Sequence, residues 1–246
     1  MRQDQNWRRI SLIVLTNVYI DGYNLYRGCL KDSPHLKWLD LRGLAASLVV
    51  APQQLQHVKF FTARVKDDPG AASRQEVYIR ALRANGVTVY DNGNFVVHTV
   101  IRPVADTPHP NMQGVLEYLD RGTRLWTPTA RPRPLDHLRA SVRDTKEKGS
   151  DVNLAAHLMW DVWHEGLGAA IVVSGDSDLE TPIHLINSSG VSVHVVNPTA
   201  NNVSQRLQGA AATYRPLDLS LLQSHQLPDP AMSTSGRPLT RPSSWS

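Results

Sequence analysis

Cysteine is almost absent from this 246-residue chain, with Cys29 the sole example. That excludes an internal disulfide framework and any cysteine-rich zinc site, and it fits a reducing compartment. Long apolar runs are lacking too: none reaches the roughly 18 residues a membrane span requires. The best candidate for a signal segment, residues 10–20 behind Arg8 and Arg9, is interrupted by Thr16, Asn17 and Tyr19. No small-residue cleavage site follows it before Asp21. It reads as a buried strand, and the expectation is a cytoplasmic protein with no membrane partner. No Gly-x-Gly-x-x-Gly follows a strand and no P-loop occurs, which argues against a nicotinamide enzyme or an ATPase. The histidines, among them His98, His109, His137, His157, His164, His184, His194 and His225, are scattered without zinc-protease spacing. Ser174-Gly-Asp is not a nucleophile elbow.

What is present is an ordinary globular composition, 41% apolar and 20% charged, with ample material for a core. The net charge of +4 tilts weakly toward an anionic partner. Its distribution says more: between Arg121 and Arg143 six arginines face one acid, Asp136. Such a stripe could track phosphates, or it could be a solvated irregular segment.

Strand-like and helical runs alternate, the pattern of an α/β domain with a central, mainly parallel sheet and helices on both faces. Residues 12–20, 58–63, 87–90, 169–173 and 191–196 read as strands, with 95–101 a hairpin or edge strand. Residues 39–50, 73–84, 151–164, 178–187 and 202–210 read as helices. In the 151–164 segment, Val152, Ala155, Met159 and Val162 form one apolar stripe. The domain spans residues 1–224. Prolines 103, 108, 110, 128, 132 and 134 break regularity, so about 102–145 reads as an irregular basic insertion, with a short helix at 112–119. Residues 225–246, rich in Pro, Ser and Thr, read as a loosely packed tail.

Acidic residues fall at corresponding places in this layout. Asp21 directly follows the first strand, and Asp176 and Asp178 follow the 169–173 strand. Asp151 opens a helix after Lys-Gly-Ser. Parallel strands end on one edge, where sites assemble. Grouped carboxylates repel one another, and a divalent cation relieves that repulsion. The cation can polarise a phosphodiester and lower the pKa of a bound water. Asn24, one helical turn from Asp21, and Ser174 are placed to support the carboxylates without adding charge. Each acid alone could be structural: Ser177 with Glu180 has capping-box spacing, and Ser150 could cap a helix that has Asp151 in its first turn. The four together at strand and helix ends favour a metal site.

The stretches Tyr19-Ile-Asp-Gly-Tyr-Asn-Leu-Tyr26, Glu147-Lys-Gly-Ser-Asp-Val-Asn-Leu-Ala155 and Val173-Ser-Gly-Asp-Ser-Asp-Leu179 resemble the motifs of the NYN domains, a group within the PIN-like nuclease superfamily. Phe61-Thr-Ala-Arg64, Asn197-Pro198 and the C-terminal Leu-Pro…Arg-Pro…Trp pattern look closest to the bacterial LabA-like branch. The resemblance implies a PIN-like three-layer fold and a Mg²⁺- or Mn²⁺-dependent phosphodiesterase acting on single-stranded or structured RNA. It implies Asp21, Asp151, Asp176 and Asp178 as metal ligands, with Asn24 in support and Ser174 and Glu147 as auxiliary residues. Gly175 stands where an Asn is common in this branch. Arg64, Arg121, Arg124, Arg131, Arg133, Arg143 and Lys148 are the candidates for contacting RNA, and Tyr23 and Tyr26 for stacking on bases. A homo-oligomer remains open. The rivals are a non-catalytic RNA-binding or regulatory protein on the same scaffold and a Toprim-like DNA-acting enzyme. In the latter the first-strand acid is usually Glu rather than Asp.

Overall fold

The computed structural model describes residues 13–103, 139–199 and 203–245; for 94–100, 102–103, 139–140 and 142–148 it describes the backbone alone. The chain divides into two compact units, Met1–Phe95 with Glu147–Ser246, and Val96–Lys146. In the first unit, strands β1 (Val14–Asp21), β2 (Gln53–Arg64), the start of β3 (Thr88–Pro103), β5 (Ala169–Val173), β6 (Ser192–Asn197) and β7 (Thr213–Pro216) lie in the order β3-β2-β1-β5-β6-β7. Every neighbouring pair in that order is parallel. The second unit holds the far part of β3 and most of β4 (Arg139–Lys148), the strand that neighbours β3. A regular strand from Arg139 corrects the expectation of irregular chain up to residue 145. The expected short helix at 112–119 lies outside the described residues.

The two sheet faces follow from strand alternation. On β1, Val18 and Ile20 point into one apolar cluster and Tyr19 into the other. The first face is covered by α1 (Gly22–Leu25), α2 (Leu41–Leu48), α3 (Pro69–Ala84) and α7 (Leu219–Ser224). The second is covered by α4 (Ser150–His164), α5 (Glu180–Ser188) and α6 (Gln205–Ala210). This is the three-layer α/β arrangement. Strand β5, Ala-Ala-Ile-Val-Val, is buried throughout because it is central and covered on both sides. Asp40 and Asp68 cap α2 and α3 through backbone N–H groups, and Pro69 opens α3. No helix among the described residues is long and apolar enough to cross a membrane.

The segment after residue 224 is packed into the first cluster, which corrects the expectation of a loose tail. Leu227, Ala231 and Leu239 are buried there. A short antiparallel pair, β8 (Ala231–Met232) with β9 (Pro238–Leu239), shapes the segment. Trp245 lies 5.9 Å edge-on from Tyr78 and 6.4 Å from Trp38, ring centre to ring centre. Trp38 donates its indole N–H to the Pro228 carbonyl.

Helix α4 runs antiparallel to β1, held by polar anchors along its length. From its N-terminus, Asn153 donates to Asn92, His157 lies 4.1 Å from Tyr90 and 5.7 Å from Phe61 by ring centres, and Asp161 accepts from Tyr19 and Lys59. Glu165, just past its end, accepts from Asn17 at the start of the sheet. The buried side is Leu154, Leu158, Asp161 and Val162, while Val152 is exposed, so the apolar stripe is rotated from the one anticipated.

Candidate active site

Asp21 is the last residue of β1 and caps α1. Its side chain is 1% exposed. Oδ1 accepts from the Asn24 backbone N–H at 3.0 Å; Oδ2 accepts from Asn24 Nδ2 at 2.6 Å and Ser174 Oγ at 2.9 Å. The sequence allows this because β1 and β5 are paired with Ile20 opposite Val173, so Asp21 and Ser174 leave the sheet side by side. Gly22 permits the turn: a Cβ there would stand 2.7 Å from the Phe61 carbonyl of β2. Burial pushes the Asp21 carboxyl above the usual carboxylate range; the charge of Asp176 adds to the rise and the three hydrogen bonds oppose it.

Asp176 is half-buried and its backbone N–H donates to Ser174 Oγ at 3.1 Å. One hydroxyl therefore links the two acidic positions. Asp176 Oδ1 caps the following 3-10 turn, Ser177–Leu179, by accepting from the Asp178 N–H. The capping-box alternative is set aside, because Glu180 pairs instead with Arg206 at 2.6 Å. Asp178 is exposed.

Asp151 lies in the first turn of α4. The run of α4 against β1 places that turn at the same C-terminal edge of the strands as Asp21. Helix α4 begins from Gly149, so Ser150 is its first residue rather than its cap, and it is buried near Gly93. The four aspartates thus share one edge. Among the described residues, however, no three His, Cys, Asp or Glu side chains are grouped as closely as an ion requires. Asp21 and Asp176 form the nucleus of the site, joined through Ser174 Oγ, and Asp151 and Asp178 lie along the same edge.

That nucleus fits a hard divalent cation. Asp21 is a desolvated carboxylate whose charged neighbour is another acid. Mg²⁺ needs only one or two carboxylates when water and phosphate complete its shell. Asn24 and Ser174 would hold Asp21 in place beneath it.

Asn197, which sequence reasoning noticed only as a familiar Asn-Pro, belongs to the same floor. It ends β6 one register step beyond the Val173–Val196 pair, beside Ser174, and is 2% exposed. Its Oδ1 accepts from the Thr199 N–H and its Nδ2 donates to the Thr199 carbonyl, both at 2.9 Å. A Cβ on Gly175 would stand 2.6 Å from Asn197 Oδ1 and 3.6 Å from Asn24 Oδ1. Asn197 therefore occupies the room that a side chain at 175 would need. Its place at the end of the next parallel strand was the signal available.

Arg64 pairs with Glu76 and with Asp91, the latter at 2.5 Å. His157 and His164 are taken up by ring contacts with Tyr90 and Trp160. Arg121, Arg124, Arg131 and Arg133, and the side chains of Arg143, Glu147 and Lys148, lie outside the described residues.

The sequence model of the NYN domain matches residues 99–218. That span is similar to an NYN domain. The matched span contains Asp151, Asp176 and Asp178, whereas Asp21 and Asn24 precede it. A 6-hydroxy-3-succinoylpyridine 3-monooxygenase of Pseudomonas putida is 28% identical over 207 residues, 75% of this chain. The aligned part spans 60% of that relative's length. A solved protein of unknown function from Vibrio parahaemolyticus superposes with a TM-score of 0.48 at 16% identity, covering 89% of this chain and 97% of that one.

Proposed function

We propose that this NYN-like domain hydrolyses RNA phosphodiester bonds at the Asp21–Asp176 edge with Mg²⁺ or Mn²⁺ bound. The observation that carries the reading is the buried Asp21 carboxylate, held by three donors and set beside a second acid. A structural acid at a strand end gains nothing from such a neighbour, since like charges in a desolvated place repel. When bound, the cation supplies an acidified water and a polarised phosphodiester. The chain supplies the geometry. Asn24 and Ser174 fix both oxygens of Asp21, the Asp178 N–H fixes Asp176, and Asp151 and Asp178 extend the acidic edge. A protein that merely held RNA would be hindered by this concentration of negative charge, which disfavours the non-catalytic rival.

The test is purified protein with mixed RNA and DNA substrates in Mg²⁺, Mn²⁺ or EDTA. RNA cleavage that EDTA abolishes is expected. Preference for DNA would revive the Toprim-like rival, and metal-independent or absent cleavage would remove the nuclease reading.

A second reading comes from the Pseudomonas relative, whose name describes oxygenation of a pyridine. Consumption of oxygen and a reduced nicotinamide in the presence of 6-hydroxy-3-succinoylpyridine would favour it. The missing glycine-rich dinucleotide motif weighs against it.

A further inference from the structure

Immediately after Asp21 the chain places aromatic rings and cations in pairs. Arg27 Cζ stands 5.5 Å from the centre of the Tyr23 ring, and Arg27 Nη1 donates to the Tyr23 hydroxyl at 3.3 Å. Lys37 Nζ stands 5.4 Å from the centre of the Tyr26 ring. Tyr26 opens a π-helical turn, Tyr26–Leu30, that continues α1. At about 1.5 Å of rise per residue, Tyr26 is about 7.5 Å along the axis from Asp21. Tyr26 is 42% exposed, so core packing does not account for it.

Arg64, Arg83, Arg206 and Arg241 are each matched by a carboxylate. Among the described residues, Arg27, Lys37 and Arg74 form no such ion pair. Arg74 lies close enough to Lys37 for its charge to act on it, with Asp32 the opposing acid nearby. A positive rim thus borders the acidic edge, with two flat rings set into it. Bases stack on such rings regardless of identity, and phosphates seek such cations.

We propose that Tyr23 and Tyr26, with Arg27 and Lys37, form the strip that holds single-stranded RNA beside the Asp21–Asp176 site. The rings take one or two unstacked bases, and the two cations take the flanking phosphates. A duplex keeps its bases stacked on each other and cannot use the rings. This inference rests on the RNA-hydrolysis reading and deepens it.

The experiment uses the full chain and a fluorescein-labelled single-stranded 12-nucleotide RNA, with the matching duplex as control. Anisotropy in EDTA across a salt series gives Kd, and cleavage in Mg²⁺ gives KM and kcat. Tyr26→Leu keeps an apolar side chain without a π face; it should raise Kd and KM by about 5- to 150-fold, the range for loss of one stacked base, and leave kcat nearly unchanged. Arg27→Gln and Lys37→Gln should each flatten the slope of log K against log salt by about 0.7. Duplex binding should respond to the two charge variants and not to Tyr26→Leu. A parent chain that cuts RNA while all three variants keep its Kd, KM and salt slope would overturn the strip and leave the nuclease reading standing. A parent that neither binds nor cuts RNA would overturn both. Should Tyr26→Leu fold poorly, photocross-linking of 5-iodouridine RNA to the parent decides: adducts on Tyr23 or Tyr26 support the strip, and adducts confined to other residues overturn it.

Discussion

Removing the Asp161 carboxylate should cost this fold more than any surface change. Asp161 is 1% exposed and Lys59 6%. Lys59 Nζ reaches Asp161 Oδ2 at 2.5 Å, and the Tyr19 hydroxyl donates to the same oxygen at 2.6 Å. Burial, reinforced by the Asp161 carboxylate, holds the Tyr19 phenol well above its usual pKa, so it remains a donor. Asp161→Ala leaves the Lys59 ammonium with Glu165 at 3.4 Å, an acid whose side chain is 30% exposed. Breaking a buried ion pair from one side costs about 3–5 kcal/mol, and the partial rescue by Glu165 favours the lower end. For a chain of this size that is a fall in Tm of about 6–20 °C. Replacing the group as a whole, with Lys59→Met, Asp161→Leu and Tyr19→Phe together, should recover most of the loss, because no buried charge is stranded. Thermal and urea melts of the single and triple variants measure both effects. An Asp161→Ala protein within about 1 kcal/mol of the parent, or a triple variant no better than the single one, would refute the reasoning. The pair matters for the site because it anchors α4, which carries Asp151 to the active edge.

Other outcomes follow from the same structure. The folded Asp21 carboxyl titrates above its unfolded value near 3.8, so the stability it contributes is complete below that value and is lost as pH rises through the raised one. Mg²⁺ relieves the ionised form, so the rise in Tm it causes should grow from about pH 4 to pH 7; a shift equal at both would contradict the site. Gly175→Ala should displace Asn197, which its two bonds to Thr199 hold in place. Cleavage should fall and stability drop by about 1–3 kcal/mol, checked by rates and melts on one preparation; parent-like values in both would show the floor to be pliant. Trp245→Ala should cost about 1–3 kcal/mol by removing a half-buried ring from Trp38 and Tyr78. A melt identical to the parent's would return the last residues to the status of a loose tail.

Much of the sheet was legible because strand residues carry their environment in local pattern. The unbroken Ala-Ala-Ile-Val-Val of β5 could only be central, and Asp21 and Asp176 could be placed at its edge from strand order alone. Long-range partners were not legible. Lys59 and Asp161 are 102 positions apart, and neither looks buried by composition. The same holds for Arg64, whose acids come from α3 and β3. Residues 87–90 and 95–101 read as separate runs, yet β3 continues through Asn92-Gly93 and joins them. Leu227, Ala231, Leu239 and Trp245 follow no helical or strand period, so their burial left no pattern among the prolines and serines. Exposure of Asp178 was hidden for another reason: it depends on how the 3-10 turn after β5 rotates, which Asp176 sets by capping it.

Asp176→Asn offers the most direct test of metal-dependent cleavage at this edge. The substitution keeps an oxygen for the Asp178 N–H, so the cap survives while one negative charge beside Asp21 is removed. Cleavage of single-stranded RNA in Mg²⁺ should fall by orders of magnitude, with the metal-free melting temperature equal to or above the parent's. A variant that melts lower and still cuts RNA at the parent rate would contradict the account.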